Sequence, residues 1–239
     1  MRLFAIDMDG TCLNGRSHIS DKTIDALRQA AAAGIEIVPT TGRALTCLPH
    51  QLKGEKYIRY VISSNGAVVT DIKQREIIYQ AMIPCQTATA LLNECLQTNI
   101  GISLHAFNEL FLQGKKLSVL GRAAYGKDAL SAETTQNILG IVQAHHASIE
   151  EIQLFYFKRK ERDAAERIIS KYPELTAIYA KHYVELISRE TDKGRALCGL
   201  REYLGMEKNQ IACIGDGQND MPCFGNQAGN LPWPTLFLN

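Results

Sequence analysis

The chain has 239 residues, of which 46% are hydrophobic and 21% charged, with a formal net charge of +1. That length can bury a core of one large domain or two small ones, and the near-neutral charge excludes a broad field aimed at nucleic acid or an anionic membrane. No run reaches the apolar length of a membrane span. The opening residues meet Asp7 and Asp9 too early to hold a secretory apolar region, so a cytoplasmic protein is expected. The seven cysteines (Cys12, Cys47, Cys85, Cys95, Cys198, Cys213, Cys223) are odd in number and form no Cys-x-x-Cys pair. They read as reduced thiols rather than a disulfide framework or a zinc site; only Cys12 stands out by its position.

Leu3 to Ile6 is a short apolar run ending in acidic and glycine residues, as buried parallel strands do. Ser20-Asp21 can cap a helix from about Lys22 to Ala33, which Gly34 ends. Ile35 to Val38 and Tyr60 to Ser63 read as two further buried strands, ended by Pro39-Thr40-Thr41-Gly42-Arg43 and Ser64-Asn65-Gly66. The character changes after about Gln80. Residues 87–98 look helical, Ile100 to Leu112 reads as strands around Asn108, and Ala132 to His145 as a helix. A strand at Ile152 to Phe157, a charged helix at Lys160 to Lys171 and a hairpin from Thr176 to Ile187 follow. Asp192-Lys193-Gly194 then opens a helix to about Leu204, and Gln210 to Ile214 is a buried strand ending in Gly215-Asp216-Gly217-Gln218-Asn219-Asp220. The expected fold is α/β: a doubly wound parallel sheet, built from residues 1–81 and 189–239, with an inserted α+β domain at 82–188. Ligands of such sheets bind beyond the carboxyl ends of the strands.

The loops at those ends carry complementary groups. Asp7 and Asp9, two apart, present both carboxylates on one side of an extended chain. Gly10 permits a sharp turn and close approach of backbone N–H groups to an anion. Thr41 adds a hydroxyl, Lys193 a point positive charge, and Asp216 and Asp220 two more carboxylates. Gathering four carboxylates is costly unless a cation neutralises them, and an all-oxygen donor set favours Mg²⁺ over Zn²⁺. A metal, a lysine, a hydroxyl and free amides suit phosphoryl transfer, which depends on positioning and charge neutralisation.

Asp7-Met8-Asp9-Gly10-Thr11, Thr41-Gly42-Arg43, Lys193-Gly194 and Gly215-Asp216-Gly217-Gln218-Asn219-Asp220 resemble, in that order, the four motifs of the haloacid dehalogenase superfamily. The large insert and Asn65-Gly66-Ala67 resemble its Cof-type sugar-phosphate phosphatase branch, to about residue 224. The resemblance implies a cytoplasmic, Mg²⁺-dependent phosphatase acting on a small phosphorylated metabolite, a sugar phosphate first. Asp7 would be the nucleophile and a metal ligand. Asp9 would be the acid and base, binding metal through its backbone carbonyl. Asp216 and Asp220 would complete the metal site. Thr41 and Lys193 would bind the transferring group, and Gly10, Gly42, Arg43, Asn65 and Asn219 would surround it. The inserted domain would act as a cap that excludes water and chooses the substrate.

Rival signals are weaker. Asp7 to Gly10 also starts like a calcium loop, but no third acid or terminal Glu follows. Gly121 to Asp128 nearly matches a phosphate loop, yet Asp128 replaces the required hydroxyl. Lys158 to Asp163 reads as a solvated helix face. His105, His145, His146 and His182 lack metal-ligand spacing and read as surface or cap residues, with His105 within possible reach of substrate. Gly225 to Asn239 does not resemble the helix, strand and helix with which the Cof-type pattern continues. That departure keeps open a phosphate-binding or regulatory protein with little turnover, and the shared acid pair keeps open a phosphomutase-type transferase.

Overall fold

The computed structural model describes residues 1–15, 17–114, 117, 126–144 and 148–227. It divides into two compact units, one of Met1–Arg43, Pro49–Gln80 and Thr191–Asn239, the other of Ala44–Leu48 and Ala81–Glu190.

The first unit is built on a six-stranded sheet. Its strands are β1 (Leu3–Asp7), β2 (Glu36–Thr40), β3 (Tyr60–Ser63), β4 (Val68–Asp71), β5 (Glu76–Gln80) and β12 (Ile211–Ile214), in the order β12-β1-β2-β3-β4-β5. The four strands from β12 to β3 run parallel, so their carboxyl ends share one edge; the register there pairs Ile6 with Ile214 and Asp7 with Thr40. Helix α1 (Asp21–Ala32) begins where Ser20 Oγ accepts the Thr23 N–H, satisfying an otherwise orphaned donor. Helix α5 (Lys193–Tyr203) is capped likewise by Asp192, whose Oδ1 accepts from Arg195 N at 2.8 Å. Its Ala196, Leu197 and Leu200 pack on Leu3, Ala5, Val38 and Ile62, a contact that fastens the Lys193 end of the helix to the sheet. The doubly wound α/β core expected from the sequence is present, with two differences. Strand β2 runs on through Pro39, and β4 and β5 form an antiparallel hairpin that the sequence reading left out.

The second unit carries the other sheet, in the order β10 (Leu175–Tyr179), β11 (Tyr183–Ser188), β9 (Ile149–Phe155), β6 (Gly101–Ala106), β7 (Glu109–Gln113), β8 (Glu133–Thr135). Helices α2 (Cys85–Leu96), α3 (Ile138–Ala144) and α4 (Arg159–Ile169) cover one face, burying Ile102, Leu104, Ile152, Leu154 and Val184 among their apolar residues. The opposite face is mixed, with Leu110 and Leu112 in an apolar cluster with Ala44 and Cys47 beside a row of buried polar residues. There Ser103 Oγ donates to Gln153 Oε1 at 2.9 Å, and Gln153 Nε2 donates to Glu151 Oε1 at 2.7 Å. His105 sits beside Glu151 and is buried, not a surface residue; burial alone lowers its pKa to about 3. The helix expected over 132–145 is instead strand β8 followed by the shorter α3. Asn137 separates them, its Oδ1 accepting from Gly140 N as a cap. Most of the phosphate-loop-like segment, His145, His146 and the final residues lie outside the described residues, but Asp128 is buried, unlike a phosphate-loop side chain. No described helix is long and apolar enough to cross a membrane.

Candidate active site

Asp7 is the last residue of β1 and is buried; Lys193, first residue of α5, reaches it from the far end of the chain. Lys193 Nζ donates to Asp7 Oδ1 and to Asp220 Oδ1, both at 2.7 Å. Burial drives the Asp7 carboxyl up; Lys193 pulls it back and Asp220 pushes it up again, leaving a pKa of about 6. For Lys193, burial favours the neutral amine, but Asp7 and Asp220 outweigh it and hold the ammonium above its ordinary value. The second oxygen of Asp7, Oδ2, is buried with no hydrogen-bond partner. An orphaned carboxylate oxygen in such a place costs desolvation without return, and a cation would offset that cost.

One oxygen each from Asp7, Asp216 and Asp220 lie within 4.8 Å of one another. The loop after β12 holds the last two. Asp220 Oδ2 accepts from Gly217 N at 2.9 Å, folding the loop back on itself, and Thr11 Oγ1 donates to Asp216 Oδ1 at 2.8 Å. Three carboxylates against one ammonium leave two negative charges, and a hard divalent ion fits both the charge and the all-oxygen donors. These residues therefore fit Mg²⁺. The Asp9 side chain stands apart from this group, engaged by Arg43 through Nε to Oδ2 at 2.8 Å and Nη2 to Oδ1 at 2.6 Å.

The remaining predicted residues are joined to one another by short contacts. Thr41 is buried, its hydroxyl accepting from Arg43 N at 3.1 Å and its carbonyl from Asn65 N at 3.1 Å. Asn65 accepts a bond from Asn219 Nδ2 at 2.9 Å, so these two residues, 154 apart in sequence, meet each other. Gly10 has φ +89° and a Cβ added to it would lie 2.3 Å from Asp216 Oδ2. Ser64, Asn65 and Gly66 take consecutive positive φ values of 48°, 54° and 95°, a turn that costs strain at Ser64. Sequence reasoning named Thr11 only as part of a motif and passed over Thr191, whose hydroxyl donates to Gly66 O at 2.9 Å and meets Tyr79 Oη at 3.1 Å. The signal for Thr11 was its place beside Gly10; Thr191 carried none. Cys12 is buried, and burial together with Asp7 pushes its thiol up to about 11, so it is not a reactive thiolate at neutral pH.

The model of the haloacid dehalogenase-like hydrolases matches residues 4–228. Phosphatase YwpJ of Bacillus subtilis is 28% identical over 242 residues, covering 92% of this chain and 85% of that protein. The 5-amino-6-(5-phospho-D-ribitylamino)uracil phosphatase YwtE of the same organism is 27% identical, covering 94% and 84%. A solved haloacid dehalogenase-like hydrolase from B. subtilis superposes with a TM-score of 0.78 at 26% identity, covering 94% of this chain and 86% of that one. With four ordered motifs and a family match over nearly its whole described length, this chain belongs to the haloacid dehalogenase-like hydrolases, in their Cof-type branch.

Proposed function

We propose that this hydrolase is a Mg²⁺-dependent phosphatase that cleaves a small phosphorylated metabolite, a sugar phosphate first, through a phosphoryl-enzyme on Asp7. The observation that carries the reading is the orphaned Oδ2 of Asp7, on a carboxylate that has an oxygen within 4.8 Å of oxygens of Asp216 and Asp220. That oxygen is the nucleophile. It forms a bond to phosphorus as the bond to the leaving oxygen breaks, and Asp9 gives the leaving oxygen its proton. Asp9 then takes a proton from the water that attacks the phosphoryl-enzyme, returning Asp7 as carboxylate and releasing phosphate. Dividing hydrolysis into two displacements is the advantage of covalent catalysis. Lys193 fixes the Asp7 carboxylate through Oδ1, leaving Oδ2 to react, and contributes positive charge to the phosphoryl oxygens together with Thr41. Gly10, Gly42, Arg43, Asn65 and Asn219 complete the phosphate surroundings. Asp7, Asp216, Asp220 and the Asp9 carbonyl would hold Mg²⁺, which when bound neutralises charge on the transferring group.

The inserted domain at 82–188 is read as the cap that chooses the substrate, and the relative named for a phospho-D-ribitylamino compound supports this substrate class. The test is release of phosphate from an aryl phosphate by the purified protein. Turnover is expected with Mg²⁺ and not with EDTA, and Asp7→Asn is expected to abolish it. Retained turnover in Asp7→Asn would refute the covalent route, and phosphate appearing only on an added acceptor sugar would refute hydrolysis in favour of transfer.

A further inference from the structure

Arg43 grips Asp9 with two parallel bonds, and the pair is lopsided: the arginine side chain is 3% exposed and the aspartate side chain 51%. The backbone of Arg43 is tied on both sides. Its N–H donates to Thr41 Oγ1, and its carbonyl accepts from Ser64 N at 2.9 Å. The division into two units falls directly after it, and Ala44 is rooted in the second unit with Cys47, Leu110 and Leu112. A guanidinium held this way changes partners through its side-chain torsions only, over a short arc.

Asp9 is two residues from the nucleophile, and Arg43 N donates to the Thr41 hydroxyl assigned above to the phosphoryl group, so the fork hangs from the loop that would bind phosphate. A carboxylate and a phosphoryl group offer the same two-oxygen edge to an arginine fork, and the phosphoryl group carries more charge. The contact with Asp9 also conflicts with the role given to Asp9 above. A carboxylate gripped through both oxygens must turn out of the fork before it can swing to a leaving oxygen.

We propose that Arg43 is an anion-exchange latch: with no phosphate present it holds Asp9, and an entering phosphoryl group displaces Asp9 from the fork, freeing that side chain for the leaving oxygen. The inference rests on the phosphatase reading. It makes Arg43 a group that touches substrate and at the same time the positioning residue for Asp9. It also makes Asp9 and phosphate competitors for one cation, so each weakens the other's hold.

That competition is measurable without turnover. Inorganic phosphate is titrated calorimetrically into the Mg²⁺-loaded wild type, Asp9→Asn, Arg43→Ala and the double variant, each first checked for a cooperative melt. Asp9→Asn is expected to tighten phosphate binding about three- to tenfold, the range set by a bidentate, partly exposed ion pair. Arg43→Ala is expected to weaken it, and the gain from Asp9→Asn is expected to vanish in the Arg43→Ala background. A gain of equal size with and without Arg43 would mean plain repulsion between Asp9 and phosphate and would overturn the latch. Arg43→Gln supports the same comparison if the alanine variant does not fold. A wild type that neither binds phosphate nor releases it from an aryl phosphate would bring down the phosphatase reading, and the latch with it. A wild type that does both while the cycle is additive sinks the latch alone.

Discussion

Asp7→Asn removes the oxygen proposed above to react, yet it should make the metal-free fold more stable at neutral pH. Burial is the largest influence on Asp7 and takes its pKa from 3.8 to about 6. Folding therefore takes up a proton at Asp7 between those two values. The stability this group contributes is fully present below pH 3.8 and is lost as pH rises through about 6. A displacement of that size corresponds to about 3 kcal/mol, the ceiling on what a neutral isostere recovers above pH 7. Asparagine keeps an oxygen for Lys193 Nζ, and Asp220 still neutralises the ammonium at 2.7 Å. The lost attraction to Lys193 opposes the gain, so a net stabilisation of about 1–3 kcal/mol is expected at pH 7.5, falling to nearly zero at pH 4. Urea unfolding in EDTA at pH 4, 5.5 and 7.5 measures the difference between variant and wild type. A difference independent of pH, or a destabilised variant at pH 7.5, would refute the burial argument.

Lys193→Met should have the opposite sign, because it leaves Asp7 and Asp220 facing each other in a buried site with no cation; a loss of about 3–5 kcal/mol is expected at pH 7.5 and less at pH 5, read from the same unfolding curves. Gly66→Ala combines φ +95° with an added Cβ only 2.5 Å from Asp192 O and 2.8 Å from Lys193 N. It should cost at least about 1–3 kcal/mol and lower phosphate release by displacing the start of α5. Gly34→Ala, with φ +86° and nothing within 4 Å of its Cβ, should cost only about 1–2 kcal/mol and leave turnover intact; equal effects at the two glycines would contradict the close-approach argument.

What the sequence made legible was whatever local chemistry decides. β1 announces itself because an apolar run stops at Asp7, and α1 and α5 because Ser20 and Asp192 bond the N–H three residues on. The β4–β5 hairpin was not legible. β5 is half-exposed with Glu76 and Ile77 out, so its pattern lacks the continuous apolar run of the central strands. Its turn is closed by Asp71 Oδ1 accepting from Lys73 N and Gln74 N, both at 3.0 Å, a side-chain turn with no glycine or proline to mark it. In the second unit, β-branched Thr134 and Thr135 ahead of the Asn137 cap were the signal that the supposed single helix begins late. The partners of Arg43 and Asn219 were hidden for a different reason. Bonds spanning 34 and 154 residues depend on strand register, which no short segment encodes.

The motif glycines show how distant loops were made to converge. A side chain at Gly10 would strike the carboxylate of Asp216, one at Gly42 the amide of Asn65 at 2.9 Å, one at Gly66 the backbone of Asp192, and one at Gly194 the carbonyl of Pro222 at 2.3 Å. In each case the glycine of one loop leaves room for a neighbouring loop. Gly10 and Gly42 yield to the side chains of Asp216 and Asn65, Gly66 to the peptide bond before Lys193, and Gly194 to the backbone after Asp220. The polar residues supply charge, but charges of one sign disperse unless the backbone forbids it. Glycine lets the loops come close enough for Lys193 to bridge Asp7 and Asp220 and for Asp216 to join them. The same argument explains why the motifs read as acid-and-glycine pairs: the acid supplies the charge, and the glycine beside it lets the next loop approach.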